Sequence, residues 1–355
     1  MKIECFYIKN DVFQEDTSSK IEIQCPTQQS QALLSDRSFL ELLRSKPKEI
    51  IERKFGHISS FNFSKSVFYD GKWTELSKVA RGLFLDNSTG QIVGRGFDKF
   101  FNYREKMFNQ DRWLEENLKF PVTAYKKYNG FLGILAWDQV ESKLLFLTKS
   151  MVDGAYSKIF SETFHDEFKD RSQEWWSDLA SDLVSSNSCL VFEVIDPTRD
   201  PHIVKYEKPE VILLDMVKLE KTFSHPAYDD LVKFAGKFGF RAKEKAAVFE
   251  DWKSLREFID LKQSYEKTRD EEGYVLEDSD GYHFKLKGGW YKFWKMMRGI
   301  QKDVAAGHLV STSKLLTPLA NDVYGFMTRE LGREKLREMS IIDTREEFSK
   351  ALYEA

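Results

Sequence analysis

Residues 123–137 contain two apolar segments typical of β-strands, joined by Asn129 and Gly130. An Asn-Gly step between two such segments predicts a tight hairpin turn. A second interpretation gives the same residues a chemical role. Lys127 ends the first segment three residues before Gly130, so it is a candidate nucleophile, and the glycine would let a nucleotide phosphate approach the backbone. The choice depends on whether later segments supply the partners that such a lysine requires.

Composition limits what this chain can form. With 355 residues, 41% of them hydrophobic, it is long enough for a sizeable core and is expected to form two domains. No segment approaches the roughly 18 consecutive apolar residues of a membrane helix, and the N-terminus lacks a signal-peptide core. The three cysteines are odd in number and contain no Cys-x-x-Cys motif, which argues against a disulfide framework or a zinc site. We expect a cytoplasmic protein without a membrane partner, and we expect a monomer.

The charged residues are nearly balanced, with 54 basic and 57 acidic residues and a net charge of −3. A protein that binds nucleic acid mainly through bulk charge would be strongly basic, so any site for a polyanion must be a local patch. Lys285 and Lys287 are two residues apart on a predicted strand and therefore project from one face. Two parallel lysines repel each other unless a phosphate or a carboxylate lies nearby.

Glu193 is an isolated carboxylate in the apolar segment 189–195. Strand alternation places it on the same face as Val191 and Ile195, and that face is expected to be buried. A buried carboxylate requires a cation or a hydrogen-bond donor. Glu193 is therefore a candidate site residue.

Apolar periodicity and turn residues predict a mixed fold of helices and strands. The predicted strands are 2–13 and 20–24 as a hairpin, then 60–63, 66–69, 79–86, 93–102, 123–127, 131–137, 144–149, 189–195, 204–206, 211–217, 271–277 and 282–287. The predicted helices are 38–44, 47–54, 155–168, 174–183, 229–238 and 252–262, and the chain is mainly helical from residue 295 onward. We therefore place a domain boundary between residues 294 and 295.

A basic stripe is predicted on the helix that follows Gly288. Its members are spaced by three and four residues, which aligns them along one side of a helix. They are interleaved with aromatic residues, and both sets are candidates for contact with nucleic acid. The stripe consists of Lys292, Lys295, Arg298 and Lys302. A plain solvated helix face explains the same spacing equally well.

The charged residues at strand ends follow one another in a particular order. In sequence they are Arg81-Gly82, Lys99, Lys127-x-x-Gly130, Lys149, Glu193, Glu272-Gly273 and Lys285-x-Lys287. This order resembles the covalent nucleotidyltransferases, the superfamily of polynucleotide ligases and RNA capping enzymes with the motifs K-x-D/N-G, F-E, E-G and K-x-K. The flanks are similar to the phage RNA ligase 1 family, which also contains fungal tRNA ligase sealing domains. The similar flanks are 80–84, 98–102, 192–193, 197–198, 203–206, 272–275 and 283–291, and the resemblance covers roughly residues 60 to 295.

The resemblance implies an α+β fold. Residues 1–294 would form an adenylyltransferase domain with an N-terminal extension, whose nucleotidyltransferase (ATP-grasp-like) core has mostly antiparallel sheets and flanking helices. Residues 295–355 would form a small helical C-terminal domain. The implied activity is that of an ATP-dependent RNA ligase, which joins a 3′-OH and a 5′-phosphate through a lysyl-AMP intermediate and an RNA-adenylate. Its implied cofactors are ATP and Mg²⁺ or Mn²⁺.

The resemblance also assigns roles to individual residues. Lys127 would be the nucleophile, and Glu272 would help to hold the metal ion. Lys285 and Lys287 would lower the pKa of Lys127 and neutralise charge on the α-phosphate and the leaving group. Glu193 would accept a hydrogen bond from the ribose. The remaining nucleotide-binding residues would be Arg81, Lys99 and Lys149 at the β- and γ-phosphates, Gly130 beside the nucleotide, and Tyr206 or Phe101 against adenine, with RNA on Lys292, Lys295, Arg298 and Lys302.

Two features of the motif around Lys127 depart from the simplest expectation. Asn129 stands where many members of the superfamily have aspartate. The asparagine keeps a hydrogen-bond acceptor but lacks the negative charge. Lys126 is an adjacent competitor, but alternation places it on the opposite strand face, and the spacing to Gly130 favours Lys127.

Other functions share parts of this pattern. A DNA ligase or a capping guanylyltransferase has the same core motifs, and an inactive nucleotide-binding or RNA-binding module would keep some of them. The sequence leaves open whether the RNA is broken tRNA or another substrate. It also leaves open whether a separate polynucleotide kinase or phosphatase prepares the RNA ends.

Overall fold

The computed structural model describes residues 8–9, 12–13 and 34–354, and these residues combine helices with mostly antiparallel sheets, as predicted. The strands are β1 (Ile8–Lys9), β2 (Val12–Phe13), β3 (Ile50–Phe55), β4 (Ile58–Phe63), β5 (Leu83–Asp86), β6 (Ile92–Arg95), β7 (Phe101–Asn102), β8 (Val122–Lys127), β9 (Phe131–Asp138), β10 (Lys143–Thr148), β11 (Ser188–Ile195), β12 (Glu210–Lys218), β13 (Arg241–Ala242), β14 (Lys245–Phe249), β15 (Gly273–Glu277) and β16 (His283–Lys287). The helices are α1 (Asp36–Arg44), α2 (Lys65–Asp70), α3 (Glu75–Val79), α4 (Asp111–Asn117), α5 (Ala155–Glu167), α6 (Gln173–Ser185), α7 (Tyr228–Phe238), α8 (Trp252–Gln263), α9 (Gly289–Ala306), α10 (Pro318–Phe326), α11 (Gly332–Glu338) and α12 (Ile341–Glu354).

Three larger sheets form the framework of the described chain. Sheet I has the strand order β3-β4-β5-β6, and all of its pairs are antiparallel. Sheet II has the order β10-β9-β11-β12-β13, and sheet III has the order β14-β8-β15-β16-β7. Each of these two sheets ends in one parallel pair, β12 with β13 and β16 with β7. The short antiparallel pair β1 and β2 lies within residues 2–13, which are predicted as a single strand, so the described parts of that segment pair with each other. The predicted partner strand over residues 20–24 lies outside the described residues.

Apolar side chains fill the spaces between these layers. The helices α5, α6 and α7 cover one face of sheet II through residues that include Phe160, Phe164 and Leu179. Sheets I and II pack against each other through a second core that contains Phe84 and Ile134. On sheet III, the helices α4 and α8 bury a third core. Sheets I and II therefore share a core, whereas sheet III packs on a core of its own with α4 and α8. Polar side chains can gather where sheets II and III meet.

The predicted hairpin at Asn129-Gly130 is wrong. Strand β8 belongs to sheet III, where it pairs with β14 and β15, whereas β9 belongs to sheet II, where it pairs with β10 and β11. The three residues between them cross from one sheet to the other. Asn-Gly is a good local turn signal, but it does not specify which strands will pair. Lys127 consequently ends its strand at the junction of the two sheets.

The helix predicted over residues 47–54 is also wrong. Residues Ile50 to Phe55 form strand β3, which pairs with β4 through a tight turn. Gly56 adopts a positive φ of 59° in that turn, a conformation that glycine tolerates at low cost. Cross-strand pairing with β4 overrides the helix start signal of Pro47.

Two predicted strands are replaced by other structures. Residues 66–69 lie in helix α2, because the Ser64 hydroxyl accepts a hydrogen bond from the Val67 N–H and caps the helix. Residues 204–206 form no strand, because the N–H groups of Ile203 and Val204 donate to the Asn129 side chain rather than to a neighbouring strand. The segments predicted as strands over 79–86 and 93–102 are extended over only part of their length.

The C-terminal part of the described chain is helical, as predicted. Its helices pack around Trp290, Trp294 and Met297 of α9, and Ile203 and Val204 join the same core. Helix α9 runs without interruption through residues 294 and 295. The division of the chain into two domains at that point stays a prediction. None of the described helices combines the length and apolar character needed to cross a membrane.

Gly130→Ala tests the close contact at the junction between sheets II and III. A Cβ atom at this position would lie 2.1 Å from the carbonyl oxygen of Val194. We expect the variant to lose about 3 kcal/mol of unfolding free energy, measured by chemical denaturation. Gly236→Ala is the matched control, because its Cβ in α7 would meet no atom within 4 Å. That control should gain about 0.5 to 1 kcal/mol. Equal stability of the two variants would contradict the contact.

Candidate active site

The site is built on a row of residues across sheet III. Lys127 at the end of β8 pairs with Gly273 of β15, and Gly273 pairs with Lys287 of β16. Directly paired residues project from the same sheet face, so the two lysines flank a position that carries no side chain. Gly273 has a φ of 139°, and a Cβ there would lie 2.0 Å from the Leu286 carbonyl oxygen. The backbone is therefore too close for a side chain at Gly273, and the carboxylate of Glu272 lies within 4 Å of both ammonium groups.

Lys127 forms an ion pair with a buried acid. Its Nζ lies 2.9 Å from Glu272 Oε1 and donates to the Tyr128 carbonyl oxygen at 3.2 Å. Burial alone would lower the pKa of Lys127, but the carboxylates of Glu272 and Glu193 outweigh it and raise the pKa above the usual value. The predicted net lowering of the Lys127 pKa is therefore wrong. Lys285 and Lys287 repel Lys127, but the carboxylates outweigh this repulsion. The reason is distance, because Glu272 touches the ammonium directly.

Asn129 connects the Lys127 segment to two other parts of the site. Its Nδ2 donates to Glu272 Oε2 at 2.9 Å, and its Oδ1 accepts from the N–H groups of Ile203 and Val204, each at 3.1 Å. The Asn129 N–H donates to the Tyr206 hydroxyl at 2.9 Å. An amide side chain can donate and accept hydrogen bonds at the same time. Asparagine therefore suits this position, where an aspartate would place a second carboxylate against Glu272. This link between the 203–206 loop and Glu272 was not predicted, since no sequence signal connects residues so far apart.

Glu193 comes from the other sheet and faces the same junction. Its Oε1 accepts the N–H of Gly130 at 2.8 Å. Burial raises the pKa of Glu193, Lys127 opposes the rise, and Glu272 adds to it. Both acids therefore act electrostatically on Lys127, Glu272 through the ion pair and Glu193 from sheet II.

Five basic residues gather beside this ion pair, and all of their pKa values are lowered. Burial is the largest cause in each case. For the four lysines, electrostatic repulsion by nearby lysine or arginine side chains lowers the pKa further. For Lys99, Lys149 and Lys287 the pKa falls to about 8. The cluster consists of Arg81, Lys99, Lys149, Lys285 and Lys287.

The cationic cluster is poorly neutralised by the protein. Lys99 lies 3.9 Å from Glu105, and Lys287 lies 3.9 Å from Glu272. Within the described chain, no carboxylate oxygen lies within 4.0 Å of the charged nitrogens of Arg81, Lys149 or Lys285. Buried charges without counter-ions are costly, and a polyphosphate would relieve the repulsion between them.

The two aromatic residues predicted to contact adenine have different surroundings. Phe101 is 3% exposed, and the Lys99 ammonium lies 3.6 Å from its ring centre. Tyr206 is half-buried, and its hydroxyl is held by the Asn129 N–H, which brings it next to the Lys127 segment. The structure therefore brings Tyr206 to the junction and places Phe101 under the cationic cluster.

The basic stripe of α9 begins beside the cluster. A hollow of about 300 Å³ is lined by Asn102, Tyr103, Lys285, Lys287, Lys292 and Lys295. Arg298 and Lys302 continue the stripe along the same helix, with Arg298 partly buried and Lys302 exposed. Of the interleaved aromatics, Trp290, Tyr291 and Trp294 are at most 5% exposed and are not available for stacking, whereas Phe293 is partly exposed. The prediction is therefore wrong for three of the four rings, since helix packing buries them.

The donors present fit a nucleoside triphosphate and a divalent ion. Arg81, Lys149 and Lys285 offer positive charge that is not in direct contact with a carboxylate of the described chain. Glu272 would be the protein ligand of the ion, and one carboxylate suffices for Mg²⁺ when phosphate and water supply the other ligands. Glu193 and Tyr206 are held against residues 129–130 by hydrogen bonds, and they would be the groups available to the nucleoside. The chemistry of this cleft is therefore that of phosphoryl or nucleotidyl transfer to an amine.

The fold belongs to the nucleotidyltransferase class. The chain is similar to an archaeal ATP-dependent RNA ligase of known structure, with a TM-score of 0.53 and 12% identity, covering 87% of this chain and 76% of that one. It is also similar to a putative ATP-dependent DNA ligase from Aquifex aeolicus, with a TM-score of 0.51 and 15% identity over 88% of this chain and 80% of that one. These similarities confirm the predicted fold.

Sequence comparison identifies the family within this class. A family model described as RNA ligase matches residues 79–291, and the chain belongs to this family of phage RNA ligase 1 type, as predicted. The chain is also 24% identical to a tRNA ligase of Candida albicans over 79% of its own length and 39% of that protein. It therefore spans less than half the length of that relative.

The lowered pKa values predict how polyphosphate binding depends on pH. Lys99 and Lys149 have pKa values of about 8, so both lose their protons between pH 7 and pH 9. Calorimetry should show that the affinity for inorganic pyrophosphate falls over this interval by up to about tenfold for each lysine that loses its proton. The Lys149→Met variant should bind pyrophosphate more weakly at pH 7, and its affinity should depend less steeply on pH. Pyrophosphate itself also titrates, but this contribution is the same for the variant and the wild type and cancels in the comparison. Lys158→Met, an exposed change on α5, should alter neither. Parallel pH profiles for Lys149→Met and the wild type would exclude Lys149 from the site.

Proposed function

We propose that this chain is an ATP-dependent RNA ligase that joins RNA 5′-phosphate and 3′-OH ends. One observation carries the proposal. An amine at a strand end, Lys127, is paired with the buried acid Glu272, feels the charge of Glu193 from the other sheet, and lies beside a cationic cluster that the protein neutralises poorly. Membership of the RNA ligase family supports RNA as the substrate.

The first step would form a lysyl-AMP. Lys127 loses a proton, for which Glu272 Oε1 at 2.9 Å is the nearest acceptor in the ion pair. The Nζ lone pair then forms a bond to the α-phosphorus of ATP, the bond between that phosphorus and the bridging oxygen breaks, and pyrophosphate leaves. The nitrogen releases a second proton to solvent or to the departing pyrophosphate, which leaves the phosphoramide N–H. Lys285 and Lys287 stabilise the charge that develops on the phosphates. A divalent ion on Glu272 would add positive charge beside the amine and the α-phosphate.

Two further steps would complete the sealing of RNA. The 5′-phosphate oxygen of one RNA end attacks the phosphorus of the lysyl-AMP, and the bond to Lys127 breaks to regenerate the amine. The 3′-OH of the other end then attacks the activated 5′-phosphate, and AMP leaves. The same cationic cluster serves each step, because every transition state carries its new charge on phosphate oxygens.

The biological setting is also part of the proposal. Similarity to the Candida albicans tRNA ligase supports broken tRNA as the substrate. We propose a cytoplasmic monomer that uses Mg²⁺ or Mn²⁺ and depends on a separate polynucleotide kinase or phosphatase for suitable ends. We further propose that residues 1–294 form the adenylyltransferase domain and that residues 295–355 contact RNA through helices. Sealing assays with cleaved tRNA, with and without end-processing enzymes, test this setting.

Lys127→Ala tests the nucleophile. Incubation with α-labelled ATP and Mg²⁺, followed by denaturing electrophoresis, should give a labelled band for the wild type and none for the variant, because no amine remains to form the phosphoramide bond. Lys126→Ala is the matched control. Its ammonium faces the Tyr128 ring at 5.7 Å rather than Glu272, so the label should persist. Label on Lys127→Ala would refute the assignment, and label from GTP in place of ATP would favour a capping enzyme.

The basic stripe on α9 makes a separate prediction about RNA binding. Replacing Arg298 and Lys302 by alanine should weaken RNA binding and reduce the salt slope of log K by about 0.7 for each lost phosphate contact. Autoadenylation should be retained, since neither residue joins the ion pair of Lys127. Lys233→Ala, an exposed change on α7, should alter neither property. An unchanged salt slope in the double variant would show that the stripe is a solvated helix face.

A further inference from the structure

A row of aromatic rings extends from the cationic cluster to the protein surface. We call it the aromatic ridge, and its members are Phe101, Trp73, Phe63, Phe68 and Tyr69. Successive ring centres are separated by 5.4 Å, 4.8 Å, 6.3 Å and 5.4 Å in that order. The ridge is therefore continuous from the buried ring of Phe101 to helix α2.

The outer end of the ridge is unusually exposed. Phe68 is 53% exposed and Tyr69 is 79% exposed. Among the phenylalanine, tyrosine and tryptophan side chains that the structure describes, the one other exposed residue is Tyr156 on α5, at 47%. Two adjacent exposed rings on a short helix have no role in the apolar cores of the fold, so a binding role explains their position better than packing does.

The inner end of the ridge carries positive charge. The Lys149 ammonium lies 4.6 Å from the ring centre of Phe63, and the Lys99 ammonium lies 5.1 Å from that of Trp73. Lys106 lies 5.7 Å from the ring centre of Phe101. Ammonium groups above a row of rings provide contacts for both the phosphates and the bases of one nucleic-acid strand. An apolar protein segment would complement the rings but not these cations.

We propose that the aromatic ridge binds single-stranded RNA at the end to be joined, with bases stacked on Phe68 and Tyr69 and the terminal phosphate directed toward Lys99 and Lys149. This inference rests on the proposed ligase function and deepens it. Stacking does not depend on base identity, so the ridge would accept any sequence. It requires unpaired bases, so the substrate class is a single-stranded end rather than a blunt duplex. The ridge is separate from the α9 stripe, which contacts phosphates alone.

The test uses the whole chain with Phe68→Ala and Tyr69→Ala combined. Fluorescence anisotropy would measure binding of a 5′-phosphorylated single strand of about 12 nucleotides, a length within the usual site sizes of such proteins. Loss of two stacking rings should weaken binding by about tenfold or more. Autoadenylation by α-labelled ATP should stay within about twofold of the wild type, because neither ring contacts Lys127 or the cationic cluster.

Three controls identify stacking as the cause. Phe68→Tyr combined with Tyr69→Phe keeps both rings and should bind RNA like the wild type. Leu261→Ala removes another exposed apolar side chain, 48% exposed on α8, and should have no effect. A strand in which the stacking positions are abasic should bind the wild type weakly, and the double alanine variant should weaken it no further.

Three outcomes would overturn the inference that the aromatic ridge binds single-stranded RNA. Unchanged RNA affinity in the double alanine variant would show that the ridge binds something else, such as another protein surface. Equal weakening on abasic and normal RNA would exclude base stacking, and equal weakening on a blunt duplex would exclude a preference for single strands. Failure of the wild type to become adenylated would refute the proposed function instead, and the autoadenylation assay separates these cases.

Discussion

The crossing of three residues from sheet III to sheet II determines where the chemistry of this protein can occur. Tyr128, Asn129 and Gly130 connect β8 to β9, and the gap beside the Val194 carbonyl admits only a residue without a side chain. The crossing ends one strand at Lys127 and begins the next beside Glu193. Each sheet thus contributes one acid to the same amine, and neither sheet alone would bring these groups together.

The cleft has an acidic part around Lys127 and a cationic part around Lys285, and this separation of charge favours the binding of a polyphosphate. On one side, Glu193 and Glu272 raise the pKa of Lys127 and keep it charged. On the other, burial and mutual repulsion lower the pKa of Lys285, which has no carboxylate within 4.0 Å in the described chain. An anionic ligand would relieve the repulsion between these cations. A ligand that binds only the folded state also stabilises it, so nucleotide binding and the stability of the junction are linked.

The sequence allowed the order of site residues to be predicted, but not their distances. Strand alternation correctly placed Lys285 and Lys287 on one face, because that pattern depends only on neighbouring residues. The hairpin at Asn129-Gly130 was wrong because turn chemistry does not specify a pairing partner. The pKa of Lys127 was predicted in the wrong direction for a related reason. Its sign depends on whether Glu272 or Lys285 lies closer, and only the fold determines that. The spacing of aromatic residues along α9 makes them candidates for RNA contact, but it does not reveal which side of the helix the C-terminal helices cover, and that packing buries Trp290 and Trp294.

Asn129 shows how a departure from the usual motif can suit its surroundings. Aspartate at this position would place a third carboxylate beside Glu272 and Glu193, and none of the three could donate a hydrogen bond to another when ionised. Asparagine donates to Glu272 and still accepts from the backbone of Ile203 and Val204. The amide therefore orients the acid that pairs with Lys127 without adding charge to a buried cleft, and it holds the 203–206 loop, with Tyr206, against the same segment. The loss of a charge at Asn129 thus leaves Glu272 as the acid in direct contact with the amine, so the ionisation of Lys127 depends chiefly on what else binds to Glu272.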